Sequence, residues 1–181
     1  MKRFAILALS CALFISSSTL SCEKSSEKGS DINTKIKSLV DEHFEALEKG
    51  DYEKYSSLYP AFYNDMYEQF AVGYGFANAE SYFLDSEYGY YVMTIGDDFS
   101  LKATVNSTEK MSQEELTTGE TAIKQTYDIE LELSSGYIIE ITEEASGKNN
   151  TEKETYEMMV LEIGDELYVY NQYFEYMATM Q

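Results

Sequence analysis

The sequence predicts an α+β domain. Apolar residues recur at three- and four-residue steps through the first half of the chain and at two-residue steps through the second, and no repeat links the two halves. Helices and strands that are segregated in this way pack as helices on one face of an antiparallel sheet.

The elements follow in order. From Asp31 to Lys49 the positions Ile32, Ile36, Leu39, Val40, His43, Phe44 and Leu47 form one helical stripe, with Ser30 or Asp31 as cap and Gly50 as terminator. Asp51 caps a second helix running to Tyr59, which Pro60 stops because it lacks an N–H and crowds the preceding turn. A third spans Ala61 to Val72, with Phe62, Met66 and Phe70 on one side, and Asn78 opens a fourth from Ala79 to about Tyr90.

The period then falls to two residues. Phe99, Leu101, Ala103 and Val105 alternate with polar neighbours as a half-buried strand. Ser112 and Glu115 have capping-box spacing, which predicts a short helix ended by Gly119. Tyr127, Ile129, Leu131 and Leu133 read as the next strand, turned by Ser134-Ser135-Gly136 into another from Tyr137 to about Glu143. Strands at Glu154 to Ile163 and Glu166 to Asn171, joined at Gly164-Asp165, bring the sheet to about five strands.

The chain has 181 residues and a formal net charge of −20, from 33 acidic against 13 basic side chains. So few cations exclude a phosphate-tracking groove, and with it DNA or RNA as a partner. Residues 1–21 read as a signal peptide: Lys2 and Arg3 precede an apolar run from Phe4 to Ser16, which is shorter than the ~20 residues a spanning helix needs. Cys11 leaves with that leader, so Cys22 becomes the single cysteine and the first residue of the mature chain. A lone thiol on an exported protein needs a reason, and lipidation supplies one. The tetrad Thr19-Leu20-Ser21-Cys22 resembles the lipobox of bacterial lipoproteins, with Leu20 displaced by one position from the usual place. The resemblance implies a diacylglycerol on Cys22 and anchoring on the extracytoplasmic face of the membrane. Residues 22–30 would be the lipidated cysteine and a hydrophilic tether, and 31–181 the folded domain. Losing Lys2 and Arg3 with the leader makes the mature body more acidic still, so it repels anionic headgroups and the lipid acts as a tether alone.

The segment VDEHFEALEKGDYEKYSSLYP, with its Gly-Asp step between helices, and the endings AIKQTYDIELEL and YEMMVLEIGDELYVYN resemble the opening helix pair and last hairpins of NTF2-like domains. The combination is similar to extracytoplasmic lipoproteins of bacteria whose domain has no assigned activity. That resemblance implies a cone, a bent sheet wrapping a long helix, with a cavity whose wall would include His43, Tyr67, Phe70, Tyr127 and Tyr168. Some members use the cavity as an active site and others fill it.

His43 is the only histidine and lies inside the apolar arc of the first helix, where it is either a core residue or an acid-base group of a small hydrolase or isomerase. The tyrosines from Tyr52 to Tyr74 lie near helical spacing and supply the bulk that a chain without Trp lacks, but Pro60 should keep them off one rigid face. The acids Asp128-Glu130-Glu132, Glu140-Glu143-Glu144 and Glu152-Glu154-Glu157 read as the wet side of the sheet, without EF-hand spacing, so no metal is expected. No GxSxG, P-loop, GxGxxG, HExxH or CxxC motif is present, and no cofactor is expected. The sequence therefore predicts a lipid-tethered domain that binds a small ligand or protein, with a homodimer left open and catalysis through His43 as the alternative.

Overall fold

The structure, a computed structural model, describes residues 28–172. The signal peptide and Cys22 lie outside the described residues.

Helix α1 runs from Lys28 to Lys49. It starts earlier than expected, so Ser30 and Asp31 are not caps; Asp31 instead places its carboxylate in the first turn, where the helix dipole favours it. Its inner stripe of Ile36, Leu39, Val40, His43, Phe44 and Leu47 is buried, as the periodicity requires. Gly50 ends it with φ +64°. Asp51 then caps α2, Tyr52–Ser57, accepting the Lys54 amide at 3.0 Å. This helix is shorter than expected because the Leu58 carbonyl accepts the Val169 amide at 2.8 Å and so leaves the helical ladder. Helix α3, Ala61–Gly73, begins directly after Pro60.

The fourth expected helix exists but is not uniform. Asn78 and Ser81 form a capping box on α4, Ala79–Tyr82; a π-helical turn follows at Phe83–Tyr88, and α5 completes the rod at Gly89–Thr94. Gly89 permits the wide turn, since a Cβ there would sit 2.8 Å from the Leu84 carbonyl oxygen.

Strand β1 is Ser100–Lys110, β2 is Ser135–Ser146, β3 is Thr151–Ile163 and β4 is Glu166–Tyr170. They form one antiparallel sheet in the order β1-β2-β3-β4, so the described residues hold four strands rather than about five. The missing one is Tyr127 to Leu133. Helix α6, Gln113–Tyr127, does not stop at Gly119 but continues to Asp128, which caps it in the left-handed region at φ 56°. Leu116 and Ile123, two turns apart and buried, hold the helix across the glycine. Ser134-Ser135-Gly136 is likewise no hairpin turn, because Ser135 and Gly136 already pair with Glu162 and Leu161.

Alternation sorts the sheet. Along β2, Tyr137, Ile139, Ile141, Glu143 and Ala145 are buried while Glu140 and Glu144 are exposed. Helix α1 makes close backbone approaches to both edge strands, β1 and β4. Gly136 lets α6 come close to β2: an added Cβ there would overlap Met111 and come within 3.0 Å of Leu116.

Candidate functional site

Aromatic and ionisable side chains come together from α1, α2, α3, the π-helical turn, α5, β2 and β3. The innermost is His43, 6% exposed, with its ring 5.1 Å from Phe44 and from Tyr55 and 5.9 Å from Tyr59. Its Nδ1 is buried without a hydrogen-bond partner. Burial alone pushes the imidazole down to about 4, so at neutral pH the ring is uncharged.

From His43 a run of tyrosines leads outward. Tyr55 and Tyr59 share a hydrogen bond of 3.1 Å between hydroxyls, Tyr59 stacks on Tyr63 at 4.9 Å, and Tyr63 stacks on Tyr67 at 6.4 Å. The run crosses Pro60 without a break: α2 has already ended at Ser57, Pro60 opens α3, and the new helix starts in a direction that keeps the rings in contact. Tyr67 is buried and its hydroxyl has no hydrogen-bond partner.

Two carboxylates act on these and neighbouring tyrosines. Glu143 of β2, expected on the wet side of the sheet, is 9% exposed instead. It accepts the Tyr91 hydroxyl at 2.6 Å on one oxygen and the Tyr156 hydroxyl at 2.8 Å on the other. Tyr156 reaches it because Ile141 and Tyr156 are register partners, which puts Glu143 and Tyr156 on one face of neighbouring strands. The second carboxylate, Glu87, is half-buried and comes from the π-helical turn. Burial holds its carboxyl above the usual range. Its charge in turn raises the hydroxyls of Tyr55, Tyr59, Tyr67 and Tyr91, although burial is the larger cause in each.

The residues singled out from the sequence fall into separate places. His43 and Tyr67 belong to this cluster, linked through Tyr59 and Tyr63. Phe70 joins its outer end through Tyr82, which lies 5.4 Å from both Phe70 and Tyr67. Tyr127 packs its ring 4.9 Å from Phe62 at the end of α6. Tyr168 stands apart on β4, donating its hydroxyl to Glu166 at 2.6 Å. Ring contacts join His43, Tyr67 and Phe70, and reach Tyr127 from Tyr63 through Tyr170 and Phe62. Glu87, Tyr91, Glu143 and Tyr156 were not visible as site residues, because the hydroxyls that satisfy Glu143 come from 52 and 13 residues away in sequence.

An open groove of about 590 Å³ lies elsewhere, between α1 and the edge strand β1, lined by Asp41, Phe44, Glu45 and Glu48 on one side and residues 101–105 on the other. Its floor is already in use: the Glu48 carboxylate accepts the Leu101 amide at 2.6 Å, and Glu45 pairs with Lys49. Among the described residues, no group of three or more His, Cys, Asp or Glu is placed to hold a metal, and no helix is long and apolar enough to cross a membrane.

Comparison of the chain with protein-family models, with curated proteins and with solved structures finds no match in any of the three.

Proposed function

We propose that the protein is a lipid-tethered extracytoplasmic module that binds a ligand or partner and performs no chemistry, on a fold of the NTF2-like cone type. The observation that carries the binding reading is the state of His43. An acid-base histidine needs a partner to orient it and a path to substrate, and this one is enclosed by Phe44, Tyr55 and Tyr59, its Nδ1 has no hydrogen-bond partner, and among the described residues no carboxylate is hydrogen-bonded to it. A base already lowered to about 4 is also a poor proton acceptor near neutral pH. The cone reading is supported by the approach of α1 to both sheet edges. The tether reading is supported by the basic, apolar and polar succession of residues 1–21 and by Cys22 as the lone cysteine after them.

The test is fractionation of the full chain in a bacterium that processes lipoproteins. The native chain stays with membranes, and Cys22→Ser moves to the soluble extracytoplasmic fraction. Retention of Cys22→Ser on the membrane, or an N-terminal peptide with an unmodified thiol by mass spectrometry, refutes the tether.

A further inference from the structure

Where α3 ends, this acidic chain turns an uncharged, apolar surface to solvent. No residue from 69 to 79 carries a charge, although 25% of the chain does. Within that stretch Val72 is 53% exposed and Tyr74 is 62% exposed. Gly73 and Gly75, on either side of Tyr74, are exposed too, and each has open space where a Cβ would stand. The turn therefore projects from the described residues as a tip. Exposed apolar side chains scattered singly need no explanation, but these are contiguous and share one projecting turn.

Three observations say what such a tip fits. Its backbone polarity is turned inward: the Tyr74 amide donates to the Phe70 carbonyl, the Gly75 amide to the Val72 carbonyl and the Phe76 amide to the Ala71 carbonyl, each at 3.0 Å. Amides satisfied within the chain can leave water at little cost. Next, the Tyr74 hydroxyl is the only polar side-chain group from residue 71 to 77. A protein or sugar partner is read by directed donors and acceptors, of which this tip offers almost none, whereas a tyrosine ring with its hydroxyl at the end suits the boundary between headgroups and hydrocarbon. Finally, the tip is braced from behind. The Phe70 ring lies 4.4 Å from Tyr74 and 5.4 Å from Tyr82, and Tyr82 lies 5.1 Å from Phe76. Glu68 is held at the base, accepting the Ala79 amide at 2.6 Å, and Asn78 is occupied in capping α4. Charge decides the lipid. A chain of net charge −20 is repelled by anionic headgroups, so a neutral tip on it is matched to headgroups without net charge.

We propose that the tip, residues 72–76, is a membrane-contact site that seats Val72 and Tyr74 in the headgroup region of a zwitterionic bilayer. The inference rests on the tether reading, which brings the domain to that surface, and adds a second contact to it. The acyl chains then hold the protein at the membrane, and the tip sets which part of the domain faces it. Alone the tip is one weak anchor, so Cys22→Ser still leaves the membrane on fractionation.

The chain has no Trp, so Tyr74→Trp places a single fluorescent reporter at the tip of the full chain. Met93→Trp, at a 78% exposed position on α5, is the control. Each is titrated with vesicles of phosphatidylcholine, with the same lipid brominated in its acyl chains, and with phosphatidylcholine and phosphatidylglycerol in equal amounts. The reporter reads its own surroundings, so the leader and Cys22 do not enter the measurement. Emission at position 74 should move to shorter wavelength on phosphatidylcholine and be quenched by the brominated lipid, while position 93 stays in water. Phosphatidylglycerol should weaken the effect at low salt, and added salt should restore it. Val72→Asp in the Tyr74→Trp chain should raise the lipid needed for half the shift by about tenfold, and circular dichroism should show the fold intact because Val72 is exposed. The site is overturned if position 74 does not shift on phosphatidylcholine, if position 93 shifts equally, if the shift requires phosphatidylglycerol, or if Val72→Asp leaves it unchanged. A shift that grows with protein concentration in the absence of lipid also overturns it and assigns the tip to a second copy of the chain. Failure here with Cys22→Ser leaving the membrane removes the tip contact and keeps the tether; a shift at position 74 with Cys22→Ser retained does the reverse.

Discussion

Lowering the pH should unfold this protein partly through one imidazole. His43 titrates at about 4 in the fold against an ordinary 6.5, because burial disfavours its charged form. The folded value is the depressed one, so the unfolded chain binds the proton first. Stability is complete above about pH 6.5, declines as the pH falls through the interval to 4, and is lost in full below it. A separation of about 2.5 pH units, at 1.36 kcal/mol per unit, corresponds to ~3 kcal/mol. Glu87 works in the opposite sense: its raised carboxyl is a burden above its ordinary range, which protonation relieves as the pH falls. The histidine contribution is therefore read as a difference, native chain against His43→Leu, in urea unfolding between pH 7 and 4. With a slope of about 2 kcal/mol per molar urea, the native midpoint should fall relative to the variant by roughly 1.5 M. Parallel midpoints across that range, or an imidazole Hε1 resonance titrating near 6.5 in the folded chain, would refute the sealed-histidine account on which the binding reading depends.

Two further substitutions test the packing that sets the site. Gly136→Ala should cost about 1–3 kcal/mol in chemical denaturation, because its Cβ overlaps Met111 and Leu116 and pushes α6 off the sheet; an unchanged midpoint would mean the contact yields freely. Ser112→Ala removes the capping box that starts α6, in which the Ser112 hydroxyl accepts the Glu115 amide at 3.3 Å and Glu115 accepts the Ser112 amide at 2.6 Å. The expected loss is about 1 kcal/mol, and hydrogen exchange should rise first in the opening turn of α6 rather than across the sheet.

Much of the α+β arrangement was legible because burial and periodicity are the same physical fact. Asp51, Asn78 and Ser112 cap the helices they were expected to cap, and residues 99–105 and 154–163 lie in strands apart from Phe99, which precedes β1. The failure at residues 127–133 shows the limit of the method. Burial does alternate there, with Ile129, Leu131 and Leu133 turned inward and Asp128, Glu130 and Glu132 exposed. The side chains behave as in a strand, but the backbone has no ladder: the Leu133 amide goes to the Glu120 carboxylate at 2.9 Å, and strand pairing begins with the Ser134 amide on the Glu162 carbonyl. Period two reports which side chains face the core, whereas a strand is defined by where its amides find acceptors.

The same distinction governs the candidate site. His43 was legible as an inward residue, since a helical wheel places it among Ile36, Leu39 and Leu47, all buried. Glu143 was not, although the alternation of Tyr137, Ile139 and Ile141 puts it on the apolar face, because a carboxylate there needs donors that no local pattern announces. They are Tyr91 and Tyr156, which lie 52 and 13 residues away in sequence and offer hydroxyls where the buried carboxylate is satisfied. Glu87 is hidden for a further reason. Its direction depends on the extra residue per turn of a π-helical segment, and a 3.6-residue wheel continued from Asn78 accumulates the wrong rotation by the time it reaches that position. An acid whose burial depends on tertiary donors and an acid aimed by an irregular turn both escape a reading of local pattern.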